Sequence, residues 1–237
     1  MSVKITQMLA YPLPPISSFA ANAFKVLALA LMLSDHIHYV FFNRQLEWLY
    51  WLSRLVFPLF ALIAAQNLEH HRANPKRYIL RLLLYGVIAQ PFYYWSFGFA
   101  QLNVLFTLAV SVGAWWWLES ARARGLDTVS RYAPVLLVAL GAVFLEFNWA
   151  GVLAVPIYAG LMRRGAWFDW LAALVLSFGI VRFTAPWIMP IVALGLWMLA
   201  SRFPAVSRQK RNRWSQHAAY AFYPVHLAVI ALVAALP

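Results

Sequence analysis

The sequence predicts an all-α, polytopic integral membrane protein of about nine transmembrane helices with its N-terminus in the cytoplasm. Three observations predict it. Hydrophobic residues make up 64% of the 237 and charged residues only 11%, whereas a soluble domain is roughly half apolar and about a quarter charged. The apolar residues fall into successive runs of about the length that crosses a bilayer. The basic residues sort into alternate loops between those runs, which is how orientation is encoded.

Residues 1–22, with Pro12, Pro14 and Pro15, lack the apolar core of a signal peptide and read as a retained cytoplasmic tail. The spans then run from Ala23 to Phe42, Trp48 to Leu68, Tyr78 to Phe97, Asn103 to Leu118 and Tyr132 to Phe147. After a tight turn at Phe147-Asn148-Trp149 they continue from Trp149 to Met162, Trp167 to Arg182, Pro186 to Ala200 and Gln216 to Pro237. The 13 prolines and 12 tryptophans fit such spans, because helix breakers are tolerated in them and Trp collects at the lipid interface. Of the 19 Lys and Arg, only Arg44 and Arg182 fall in the outer set of loops, and Arg54 lies inside a span. The rest, from Lys4 and Lys25 to Arg208, Lys210, Arg211 and Arg213, collect on the inner side. The net charge of +12 is therefore a topology signal for an inner-membrane protein. It is not a nucleic-acid footprint.

With no cysteine, any catalysis must use His, Asp, Glu, Ser, Tyr or Arg. An ionisable group inside hydrocarbon is costly unless paired or hydrated, so each one is a functional candidate. These are Asp35, His36 and His38 in the first span, Arg54 in the second and His226 in the last. At 1.5 Å per residue, His36 lies about 9 Å inside the outer end of its helix, and Arg54 is equally deep in the next. Consecutive helices joined by a short loop are normally neighbours, which predicts an Asp35–Arg54 ion pair beside His36. Adjacent helical residues diverge by about 100°, so Asp35 is not expected to orient His36. His36 and His38 point to nearly opposite faces and no metal-ligand spacing occurs, so no metal is expected. His70 and His71, next to Arg72, read as a solvated loop.

Lys25 and His36 are three turns apart on one face, about 16 Å along the axis. A cation at the cytoplasmic rim, with Arg77 and Arg81 nearby on the third span, suits the phosphates of a cytoplasmic donor, and a mid-membrane imidazole suits a base. Lys25 alone reads equally well as a snorkelling topology determinant.

Five blocks carry a resemblance: Lys25-Val-Leu-Ala-Leu-Ala-Leu-Met-Leu-Ser-Asp35-His36; Ser53-Arg54-Leu-Val-Phe57-Pro58-Leu-Phe60; Arg77-Tyr78-Ile-Leu80-Arg81; Leu102-Asn103-Val-Leu-Phe-Thr107; and Tyr220-Ala-Phe-Tyr223-Pro224-Val-His226-Leu227. In order and spacing they resemble the TraX family, whose namesake acetylates the N-terminus of conjugative pilin. The first block also looks like the opening helix of the wider acyltransferase-3 superfamily. The resemblance implies that residues 23–237 form a membrane acyltransferase domain taking acetyl from cytoplasmic acetyl-CoA. The acceptor would be a pilin-like protein or an envelope glycan. It implies His36 as general base, Asp35 and Arg54 as its electrostatic frame, and an acyl-histidine intermediate as the alternative course. Lys25, Arg77 and Arg81 would hold the donor, with Tyr223, His226 and Asn103 lining the acceptor pocket. The rival expectation is a small transporter or permease, which would also use intramembrane Asp, His and Arg.

Overall fold

A computed structural model describes residues 10–181, 185–203 and 213–236. Its α-helices are α1 (Ser18–Phe42), α2 (Glu47–Ser53), α3 (Val56–Glu69), α4 (Pro75–Phe97), α5 (Val104–Ala123), α6 (Thr128–Leu140), α7 (Asn148–Arg163), α8 (Trp167–Ile180), α9 (Ile188–Ser201) and α10 (Arg213–Ala234). Short 3-10 turns cover Ala142–Phe144 and Ala185–Trp187. No strand occurs among the described residues. Three helical rods, Ser18–Phe42, Glu47–Glu69 and Val104–Ala123, are long and apolar enough to cross a membrane, and several shorter apolar helices accompany them. Lys4, Arg182, Arg208, Lys210 and Arg211 lie outside the described residues.

Local chemistry sets the boundaries. The Ser17 side chain caps α1 by accepting from the Ala20 N–H, Asn74 caps α4 through Arg77, and Asp127 caps α6 through Val129 and Ser130. Hydrogen bonds from Ser130 hold the Asp127 carboxyl below the usual carboxylate range. Gly98 ends α4 with a left-handed φ of 68°.

The expected span Trp48 to Leu68 lies within the rod Glu47–Glu69, which carries a break at Arg54 and Leu55 between α2 and α3. Pro58 explains the break: it offers no N–H to the Arg54 carbonyl four residues earlier, and its ring crowds that carbonyl. The expected run Tyr132 to Phe147 is α-helical only in its first part. Here α6 ends at Leu140, and the chain reverses through the 3-10 turn before Leu145 pairs with Leu102 in an isolated bridge. Asn148, with a φ of 48°, then starts α7.

The helix pairings close a circuit: α1 packs against α3 and α10, α10 against α4, α4 against α5, α5 against α7, and α7 against α3. Outside it, α6 lies on α5 and α7, α8 on α7, and α9 on α8. Close approach depends on small residues, as in membrane bundles generally. A Cβ on Gly151 of α7 would stand 2.2 Å from Thr107 Cγ2 of α5. Ser111 on α5 adds a polar stitch, donating to the Val152 carbonyl and accepting from the Val155 N–H, both at 3.0 Å.

From Tyr11 onward, the segment read as a cytoplasmic tail is built into the bundle. Its last five residues already belong to α1, and Tyr11 to Ile16 form an extended strap beneath α3, α7 and α9. The Tyr11 N–H donates to the Gly165 carbonyl (2.8 Å), the Leu13 N–H to the Leu161 carbonyl (2.9 Å), and Trp197 Nε1 to the Pro14 carbonyl (3.0 Å). Gln66 holds both backbone groups of Ile16, at 2.7 and 3.2 Å. Gly165 is required here, because a Cβ would overlap the Tyr11 carbonyl. The strap shares one end of the bundle with the loops at 70–74, 124–127 and 164–166. The loops at 43–46, 98–103 and 141–147 meet at the other end, through Leu102 with Phe144, Tyr39 with Phe99, and Arg44 over the Tyr39 ring.

Candidate functional site

The break between α2 and α3 leaves Arg54 at a helix terminus, free to turn its side chain toward α1. There its Nη2 donates to Asp35 Oδ2 at 2.9 Å. The pair is mostly enclosed, with side chains 14% (Asp35) and 19% (Arg54) exposed. Ser53 Oγ accepts from Arg54 Nε and Nη2 at 3.3 and 3.0 Å, and the guanidinium lies 4.6 Å from the Tyr50 ring centroid. The expected Asp35–Arg54 pair is therefore present. Asp35 Oδ1 is buried and has no hydrogen-bond partner, so the carboxylate keeps an unused acceptor.

His36, one residue on, points elsewhere. Its Nδ1 lies 2.8 Å from His226 Nε2, with the two rings tilted by only 12°. His226 Nδ1 in turn lies 2.8 Å from the Phe222 carbonyl oxygen, one turn earlier on α10. The edge of His36 meets Phe97 of α4 at 4.9 Å between centroids, and Tyr223 at 6.3 Å. No described residue bonds His36 Nε2. Four helices thus meet at one imidazole: α1 carries it, α10 holds its Nδ1 side, α4 walls it with Phe97, and the α2 terminus sets the ion pair beside it. As expected, Asp35 does not orient His36.

Tyr223 is buried. Its hydroxyl meets the Val104 backbone N–H at the start of α5, within electrostatic reach of Glu146 and Tyr93. It stands at the wall of the site. From the same helix, His226 bonds His36 directly. Asn103 is corrected outright: it is fully buried, its Nδ2 donates to the Gly86 carbonyl (3.0 Å) and to Gln90 Oε1 (2.8 Å), and its Oδ1 caps α5 at Leu105 N–H (3.0 Å). Both N–H groups of its amide are thus spent inside the protein. His38 Nε2 accepts the Leu46 N–H at 2.6 Å and fastens the 43–46 loop, while its buried Nδ1 has no hydrogen-bond partner among the described residues.

The donor candidates sit apart from the imidazole. Lys25 Nζ reaches Asn22 Oδ1 at 3.3 Å. Arg77 is exposed in the first turn of α4, and Arg81 is half-buried one turn on, with no ion pair or hydrogen bond of its side chain to any described residue. Along α4, Arg81 stands about 24 Å from Phe97 at 1.5 Å per residue. Between them Tyr78 and Tyr85 pack against Tyr220 of α10, at 6.5 and 5.6 Å between centroids.

Sequence reasoning missed Glu146, Tyr93 and Phe97 as site residues, and missed the pairing of His226 with His36. A signal for the pairing was only weak: with the last span read to Pro237, His226 lies eleven residues inside its end and His36 six inside its own, and the depths come closer only from the end of α10 at Ala234. For Glu146 there was none, because the loop that carries it folds inward only through the bridge to Leu102.

The family model described as TraX protein matches residues 20–234. Protein TraX of Escherichia coli is 30% identical over 223 residues, covering 89% of this chain and 85% of its own length. The "Probable fimbrial assembly protein FimC, serogroup H1" of Dichelobacter nodosus is 27% identical over 237 residues, covering 90% of this chain and 94% of its own. No solved structure matches.

Proposed function

This chain belongs to the TraX family, and from that premise we propose that it is a membrane acetyltransferase. It moves an acetyl group from acetyl-CoA to an acceptor amine or hydroxyl, foremost the N-terminus of a pilin and otherwise an envelope glycan. The fimbrial-assembly name of the Dichelobacter nodosus relative supports the choice of a pilin. The protein is a multi-pass protein of the inner membrane, with α2 and α3 counting as one broken span among about nine. The strap end, where the basic loops collect, faces the cytoplasm. The kinship to the acyltransferase-3 superfamily belongs to the same reading.

One observation carries it: an imidazole enclosed by four helices, bonded to the described residues through one nitrogen only, beside an ion pair that has an acceptor to spare. The acceptor's nitrogen or oxygen attacks the acetyl carbonyl carbon while its proton passes to His36 Nε2. The carbon–sulfur bond breaks, and the departing thiolate takes that proton as CoA thiol, which returns His36 to its neutral form. Arg54, held by Asp35 and Ser53, supports the oxyanion of the tetrahedral intermediate. Arg77, Arg81 and Lys25 hold the donor's phosphates at the cytoplasmic rim, and the arm of the donor runs inward past Tyr78, Tyr85 and Tyr220.

Protein reconstituted in lipid nanodiscs, given radiolabelled acetyl-CoA and either a peptide with a pilin-like free N-terminus or an envelope glycan, should label the acceptor. The same amount of His36→Ala protein should not. Failure to label any acceptor, together with solute uptake into proteoliposomes, would replace this reading with the transporter one.

A further inference from the structure

We propose that His226 is a positioning residue that holds His36 in the Nδ1–H tautomer, so that Nε2 is the nitrogen carrying the basic lone pair. The proposal rests on the acetyltransferase reading only for its catalytic consequence; the tautomer itself follows from the bonding chain.

A backbone carbonyl can only accept a hydrogen bond. His226 Nδ1, 2.8 Å from the Phe222 carbonyl oxygen, must therefore carry a proton. A neutral imidazole holds one N–H, so His226 Nε2 is an acceptor. The 2.8 Å contact between it and His36 Nδ1 is then a bond donated by His36, and the single proton of neutral His36 is spent there. The lone pair is left on Nε2, which no described residue bonds. The opposite polarity would need a protonated His226, a second buried cation beside Arg54, whose carboxylate partner Asp35 is already engaged. The helix makes the first link local, since Phe222 and His226 are one turn apart on α10. Only the second link crosses the bundle, and it makes His226 to His36 what a carbonyl or carboxylate is to other catalytic imidazoles.

Glutamine at 226 can reproduce both bonds, accepting from His36 through Oε1 and donating to Phe222 through Nε2, but cannot titrate. Leucine reproduces neither. In protein labelled with 13C and 15N at histidine, the His36 signal, identified by its loss in His36→Ala, should report the Nδ1–H tautomer in the wild type and in His226→Gln, and should lose it in His226→Leu. In acetyl transfer, His226→Leu should lower kcat by about a hundredfold with KM for acetyl-CoA unchanged, and His226→Gln should restore kcat to within about tenfold of wild type. An Nε2–H signal for His36 in the wild type overturns the proposal whatever the activity. So does a folded His226→Gln protein no faster than His226→Leu. The expected tautomer in a wild type that transfers no acetyl group supports the positioning role and overturns the acetyltransferase reading alone.

Discussion

Two ion-pair networks occupy opposite ends of the same rod, Glu47–Glu69, and they are completed to different degrees. At the strap end, Arg163 of α7 donates to both oxygens of Glu69, at 2.5 and 3.1 Å, and to Glu119 of α5 at 2.7 Å, while Trp115 Nε1 gives Glu69 a third bond at 2.8 Å. Next to it, Arg164 and Asp169 pair through both carboxylate oxygens, and the Ala166 N–H shares one of them. At the other end, Asp35 Oδ1 is buried without a partner among the described residues, none of which bonds His36 Nε2. A network in which Glu69 and Asp169 each spend both carboxylate oxygens clamps helices together. One that keeps open acceptors in a low-dielectric interior bears a cost that packing alone does not explain. The difference separates the clamp from the site without reference to any relative.

The sharpest way to break the comparison is Arg54→Ala, which should lose both stability and transfer. It strands the enclosed Asp35 carboxylate, at a cost of about 3–5 kcal/mol, read as a fall in thermal or denaturant midpoint. Asp35→Asn combined with Arg54→Gln should recover folding far more than transfer. His36→Ala comes next, with transfer down by about a hundredfold and stability down by about 1–3 kcal/mol, because the buried His226 Nε2 loses its donor while no charge is stranded. Near-normal transfer in that protein would remove His36 as the base. Arg163→Ala tests the other end: it should cost about 2–3 kcal/mol, reduced from the fully buried case by the partial exposure of Arg163 and Glu119, with transfer per folded molecule kept. A loss of kcat there would show the two networks to be coupled. The smallest effect is expected for Arg81→Ala, a rise in KM for acetyl-CoA of about tenfold with kcat kept and partial recovery by Arg81→Lys. An unchanged KM would leave Arg81 as a topology determinant.

The Asp35–Arg54 pair was legible because consecutive helices are neighbours and because depth along a helix is simple arithmetic. Asn103 misled because a buried amide before an apolar run reads equally as a ligand contact or as an N-cap. Only the positions of Gly86 and Gln90 on α4 decide for the cap. The break at Arg54 was written in Pro58, four residues on, although a hydropathy window passes over it.

The sequence by itself determined the class of solvent, the runs that become helices, the sorting of basic loops to one end, and the family. These are local or summed properties: apolar content, run length and charge order survive without knowledge of any contact. The tertiary structure alone decided which helices are neighbours when they are not consecutive. It joined His36 to His226 across 190 residues, turned Glu146 toward Tyr223, and laid the strap under α3, α7 and α9. The physical reason is the solvent. A helix in lipid is apolar on every face, so no polar stripe marks the side that faces protein, and its rotation is set by the close fit of small residues such as Gly151 and by single hydrogen bonds.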